Sequence, residues 1–177
     1  MTQTRLILTY GVIAGLVLEL VFLSSFIAGA PSTEWGMVVG YLTMFIALGI
    51  AFVGVKRYRD VELGGVIRFW PAFWLALGMT MVASLFYVLG WEAYLAISDS
   101  NFIADYMAGY VDDLRAAGAS AAEIAAAEAE SAELVEKYSN PFYRMPLTWT
   151  EIAPVVLVVP LVSAALLRNP RFLPKTA

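Results

Sequence analysis

The sequence predicts an all-α integral membrane protein: a single membrane domain built as a four-transmembrane-helix bundle, with an extracytoplasmic helical hairpin between spans 3 and 4. Three observations predict it. The 177 residues are 60% hydrophobic, with a mean hydropathy of +0.73, against about 45–50% apolar residues in soluble domains. Four separate runs reach the roughly 20 helical residues needed to cross a hydrocarbon core. One segment, near 98–143, is polar and about 45 residues long, more than an ordinary connection needs.

The spans fall near 6–28, 36–55, 69–95 and 146–167. Gly29-Ala30-Pro31-Ser32-Thr33 reads as a short turn after the first. Lys56-Arg57-Tyr58-Arg59-Asp60 with Gly64-Gly65 reads as a charged turn after the second. Arg5, the first apolar run and Ala28-Gly29-Ala30 also resemble a secretory signal peptide. That run exceeds the usual apolar stretch of about 7–15 residues and carries Glu19, so it reads as an uncleaved span.

Charge sets the direction. Arg5, Lys56, Arg57, Arg59, Arg68, Arg168, Arg171 and Lys175 fall on one side, and Arg115, Lys137 and Arg144 on the other. Cytoplasmic loops carry the basic excess, so both termini are expected inside. Phe69, Trp70, Phe73 and Trp74 would mark the inner interface, and Trp35, Trp91, Tyr94, Phe142, Tyr143 and Trp149 the outer one. The basic run 56–59 could contact anionic lipid headgroups, but the ordinary charge bias that fixes topology is the preferred account of it.

Within the polar segment, Ile103, Met107, Tyr110 and Leu114 form one helical stripe, and Gly118 stops that helix. Ser120 with Glu123 is a capping-box signature for a second helix, whose less polar side is Ile124, Ala127, Leu134 and Tyr138. Asn140-Pro141 ends it. The acidic surface of this pair excludes nucleic-acid binding. It suits a solvated cap, a lid or a docking surface for a cationic partner.

Small residues let membrane helices approach closely. Gly11 and Gly15 share a face of the first span, and Gly36, Gly40, Thr43, Ala47, Ala51 and Gly54 a face of the second. Pro154 and Pro160 free the carbonyls of Thr150 and Val156 in the fourth span.

Chemistry is narrowed by what is missing. The chain has no cysteine and no histidine, which removes disulfides, thiolate or imidazole metal sites and the corresponding nucleophiles. Three glutamates remain as candidate ligand- or ion-binding residues: Glu19, Glu151 and Glu92. Counted from the inner anchors, they stand about 21, 26 and 36 Å up their helices, in the outer half. Glu19 lies in GLVLELVFL, residues 15–23, on the same face as Gly11 and Gly15, and so should point into the bundle. Carboxylates in such a place line a cavity for a hard cation, an organic cation or a proton. Each also has an ordinary reading. Glu19 bonds a neighbouring backbone, Glu151 pairs with Arg144 or caps its own helix, and Glu92 is an interfacial charge.

Tyr10-Gly11, GMVVGYLTMFIALGIAFVGVKRYRD followed by LGG, Trp91-Glu92, NPFYR and EIAPVVLVVPLVSAALLR occur in this order. Together they resemble a family of small bacterial membrane proteins known as domain of unknown function 4199, over about residues 5–169. The resemblance implies four spans and a bacterial inner membrane. It carries no activity and no catalytic residues, and Glu19 belongs to none of the matched motifs.

The expected function is therefore a small binding or transport module with an outward-facing carboxylate cavity, in which Glu19 and Glu151 approach each other across the bundle. The alternative is a structural or regulatory subunit joined to partner helices, or to its own copies, through the small-residue stripes. An enzyme is a third reading. It has no nucleophile motif, phosphate loop or metal-ligand constellation to support it, and nothing implies a cofactor.

Overall fold

The structure, a computed structural model, describes residues 2–27, 36–98 and 101–175. The expected turn at 29–33, the Ala28-Gly29-Ala30 motif, Glu34, Trp35 and Asp99 lie outside them. Seven helices run in order: α1 (Gln3–Ile27), α2 (Gly36–Leu48), α3 (Ile50–Val61), α4 (Phe69–Ser98), α5 (Phe102–Ala116), α6 (Ala121–Tyr138) and α7 (Pro141–Leu167). There is no strand among the described residues. Four stretches are long and apolar enough to cross a membrane: Gln3–Ser24, Met37–Val61, Phe69–Ser98 and Pro141–Leu167.

Two boundaries correct the sequence reading. KRYRD is not a turn but the last part of α3, and the chain reverses only after Val61. Gly64 (φ +66°) and Gly65 (φ +99°) make that reversal, with the Gly65 amide donating to the Arg59 carbonyl at 2.8 Å. Positive φ is open to glycine without a side-chain penalty. The fourth apolar helix begins at Pro141, not near 146. Asn140 Oδ1 accepts from the Phe142 amide at 3.0 Å, and proline at the first helical position lacks only a hydrogen that would have no partner there.

The chain divides into two compact units, residues 1–90 with 149–177 and residues 91–148. In the first, α1 and α4 run parallel in a four-residue register. A methyl group on Gly11 would lie 2.6 Å from Val82 Cβ, and one on Gly15 2.6 Å from the Phe86 ring. In return, Gly78 receives Ile7 and Gly90 receives Glu19. Each glycine accepts a side chain from the other helix, so the two backbones approach closely. On α3, Gly54 lies under Met79 and Tyr10. Leu18, Leu48, Val55, Met79, Ile152 and Val155 fill the core. Ala47 and Ala51 are buried as well, but Gly40 departs from its stripe: a methyl group there would meet nothing within 4 Å.

Polar rungs join α4 to α7. Thr80 Oγ1 donates to the Val156 carbonyl at 3.1 Å, the group that Pro160 leaves without its helical donor. Trp149 Nε1 donates to Ser84 Oγ at 3.2 Å. At the far end of α3, Arg59 is fully buried. Its guanidinium donates to Asp60 Oδ1 (2.7 Å), to the Phe172 carbonyl (3.0 Å), to the Leu167 carbonyl (3.5 Å) and to the Leu173 carbonyl. Lys56 Nζ holds the other oxygen of Asp60 at 2.6 Å. Arg59 thus ties the C-terminal segment to α3 and is not available to lipid headgroups.

In the second unit α5 and α6 pair. Val111 is buried, with Ala127, Ser131 and Tyr138 opposite, while Tyr110, expected on the inner stripe, is exposed. Arg115 bridges Asp112 (2.6 Å) and Glu128 across the pair. The Ser120–Glu123 capping box is formed, and Gly118 turns the chain at φ +79°. The Ser120 hydroxyl and amide hold the Glu123 carboxyl below its usual range.

Candidate functional site

The three glutamates meet different fates. Glu92, late in α4, is paired within the second unit. Arg144 Nε donates to Glu92 Oε1 at 2.7 Å and Nη2 to Oε2. Arg144 also donates to the Tyr138 carbonyl at 3.0 Å and lies 5.5 Å from the centre of the Tyr138 ring. Trp91 Nε1 donates to the Tyr138 hydroxyl at 2.7 Å. This is a forked, charge-assisted pair locked by an aromatic neighbour, and it belongs to architecture. The sequence reading offered Arg144 to Glu151, but Arg144 is taken by Glu92.

Glu151 sits on the exposed face of α7 and accepts from the Tyr87 hydroxyl at 3.1 Å. It lies ten residues beyond Pro141, so it does not cap its helix. Tyr87 is buried on α4, edge-on to Phe22 of α1 with ring centres 5.5 Å apart. Glu19 and Glu151, expected to approach each other, make no hydrogen bond to each other or to a common partner among the described residues.

Glu19 differs from both. Its two carboxylate oxygens are buried and have no hydrogen-bond partner among the described residues. The α1–α4 register puts the carboxylate on the bare backbone of Gly90, where a methyl group would lie 1.7 Å from Oε2. A larger residue at position 90 would displace the carboxylate from this place. Next to it is a cavity of about 450 Å³ lined by Glu19, Val82, Leu85, Phe86, Leu89 and Gly90. Every wall except Glu19 is apolar or backbone. Among the described residues no three acidic side chains gather to hold a metal ion.

Sequence reasoning missed Tyr87, Arg59 and the glycines Gly78 and Gly90. The last two had a signal: Gly78, Val82, Phe86 and Gly90 repeat every four residues, in step with Ile7, Gly11, Gly15 and Glu19. Arg59 had none, because nothing in Lys56-Arg57-Tyr58-Arg59 separates the buried arginine from the exposed Arg57.

Together, four apolar membrane-length helices and a lone carboxylate in an apolar cavity define a multi-pass, all-helical membrane protein. The chain belongs to the family described as Protein of unknown function (DUF4199), whose model matches residues 9–169. No curated protein and no solved structure matches it.

Proposed function

We propose that this protein is a small binding or transport module of a bacterial inner membrane, and that Glu19 is its working residue, taking up a proton or a cation. One observation carries the reading: both Glu19 oxygens are buried without a partner beside an apolar cavity. A buried acceptor left unbonded costs about 1–3 kcal/mol, and a charged one more. Ionisable groups retained at that cost inside membrane helices mark ligand or ion pathways.

Dicyclohexylcarbodiimide, which couples to carboxyl groups in apolar surroundings, tests this on the full chain in membranes. The expected adduct, located by mass spectrometry, is on Glu19, and Glu19→Gln removes it. Labelling of Glu92 or Glu151 with Glu19 untouched would overturn the reading.

In this reading both termini are cytoplasmic and the α5–α6 pair is extracytoplasmic, because eight of the eleven basic residues lie at one end of the spans. The chain has no cysteine, so single introduced cysteines report sidedness. Ala126→Cys should react with an impermeant maleimide in intact cells, and Arg171→Cys should not. The opposite pattern inverts the topology.

A second reading, association with partner helices or with further copies, draws on α2. Met37, Val38, Leu42 and Ile46 are exposed there, and Gly40 faces open space. Crosslinking in native membranes tests it: a species that stays monomeric and uncrosslinked counts against it.

A further inference from the structure

We propose that the second unit carries a lipid-headgroup site: the cavity beside the Glu92–Arg144 pair takes a zwitterionic phospholipid, with its primary ammonium on Glu92 and its phosphate on Arg144. This site is separate from Glu19 and does not depend on the role given to that residue. The cavity measures about 490 Å³ and lies wholly within residues 91–148. The Glu92–Arg144 pair holds the unit together without using all of its hydrogen-bonding capacity. A guanidinium has five N–H donors. Arg144 directs two at Glu92 and one at the Tyr138 carbonyl, so the others have no partner among the described residues. Each Glu92 oxygen accepts once from Arg144 and keeps a further lone pair. Neither side chain is sealed off: Arg144 is 14% and Glu92 19% exposed, and both line the cavity. Asn101 lines it as well. Asn101 holds the N-cap position of α5, yet its side chain caps nothing. Its amide is thus a further polar group open to a ligand.

Charge fixes the head. Arg144 and Glu92 carry opposite charges side by side, so a simple anion is drawn to one and repelled by the other, and a simple cation meets the reverse. A head that bears both signs meets both. A primary ammonium brings N–H donors for Glu92 and Asn101, and phosphate oxygens accept the spare donors of Arg144. Position fixes the source. Glu92, Leu95 and Ala96 lie in the last turns of α4, and Pro141 and Arg144 in the first turn of α7. Both helices are of membrane length, so the cavity lies at the ends of two spans, the layer in which headgroups sit. Ile97 and Phe142 follow the lining residues Ala96 and Pro141 in the chain and are 84% and 89% exposed. Large apolar side chains this open favour acyl chains over water. Leu95, Ile103 and Val135 give the cavity an apolar wall, which suits the glycerol end of a lipid and its first methylenes.

The test uses the full chain in dodecylmaltoside with dioctanoyl phospholipids as probes, read by native mass spectrometry. Phosphatidylethanolamine should bind. Phosphatidylcholine, whose trimethylammonium has no N–H donor, and phosphatidylglycerol, which has the phosphate without an ammonium, should bind about tenfold or more weaker, the loss of a charge-assisted bond. Ala96→Trp fills the cavity from an exposed wall and leaves both charges in place. It should lose phosphatidylethanolamine by a similar factor. Glu92→Gln removes the negative charge and keeps an acceptor for Arg144, so the preference should pass to phosphatidylglycerol. A pair that only held the unit together would not redirect lipid choice.

A wild-type chain with no preference for phosphatidylethanolamine overturns the proposal, because the head is then not read. Undiminished binding to Ala96→Trp overturns it as well, because the lipid then sits elsewhere. So does a Glu92→Gln chain that keeps the ethanolamine preference. If Glu92→Gln does not fold, the lipid series and Ala96→Trp decide the matter alone. Free phosphoethanolamine bound as tightly as the lipid overturns the lipid source and gives the cavity to a soluble phosphate ester.

Discussion

Arg59 and Glu19 are both charged side chains set into the first unit, and the fold treats them in opposite ways. Arg59 is completely buried, yet its guanidinium donates to one carboxylate and three backbone carbonyls. Glu19 keeps both oxygens buried and unbonded among the described residues. The difference is not burial of the polar head, shielded in both, although Glu19 as a residue is only partly buried. It is whether the chain supplies the complementary groups. Where it does, the charge has become part of the scaffold. Where it does not, no described residue supplies the complement.

The comparison breaks or sharpens on paired substitutions. Arg59→Met strips donors from the Leu167, Phe172 and Leu173 carbonyls and leaves Asp60 to Lys56 alone. Removing one partner of a buried charged network costs about 3–5 kcal/mol. Detergent-solubilised protein should unfold at a clearly lower temperature, and carboxypeptidase should trim the released tail. Glu19→Met should do the reverse. It replaces an unpaired charge with an apolar side chain of similar length, so stability should hold or rise by about 1 kcal/mol or more. A large loss there would mean that Glu19 has an internal partner, and the contrast with Arg59 would collapse.

Between these lies the α1–α4 register. Gly11→Ala puts a methyl group against Val82 Cβ and the Met79 carbonyl, and overpacking of this kind costs about 1–3 kcal/mol. It should also part the two helices and raise carbodiimide labelling of Glu19, a readout that a loss of stability alone does not give. Thr80→Val removes the donor to the Val156 carbonyl. Interhelical hydrogen bonds in membranes average about 0.6 kcal/mol. The thermal shift should be small, and hydrogen exchange should rise around Pro160.

Much of the architecture was legible because hydropathy and capping are local. The four apolar runs, the Gly118 stop and the Ser120–Glu123 box each depend on residues close together in the chain. What depends on partners was not legible. KRYRD read as a turn because charge breaks an apolar run, yet helix continues through it: Lys56 and Asp60 lie one turn apart, and Arg59 finds carbonyls more than a hundred residues away. Pairing with Arg144, one of two ordinary readings of Glu151, followed spacing along α7, whereas Arg144 pairs across helices with Glu92. Gly40 was expected to pack because its neighbours at four-residue spacing are small, and no described residue lies within 4 Å of a methyl group placed there. Glu19 was picked out by its cost, a local property. The reason it fits, Gly90, lies 71 positions away.

Glu123 supplies the smallest effect and a third kind of charge, exposed but locally satisfied. Its carboxylate accepts from the Ser120 amide at 2.8 Å, and the Ser120 hydroxyl holds its carboxyl below the ordinary 4.5. A group whose folded-state value is depressed stabilises the fold above its unfolded value and loses that contribution as pH falls through the folded one. The first turn of α6 should therefore be intact at neutral pH and begin to fray only below about 4.5. Amide exchange at Glu123 reports it, and Ser120→Ala should bring the same fraying at neutral pH while leaving Glu19 labelling unchanged. If the Ser120→Ala chain instead altered that labelling, a charge satisfied within its own helical turn would be coupled to one left open in α1. The separation drawn between locally closed and open charges would then no longer hold.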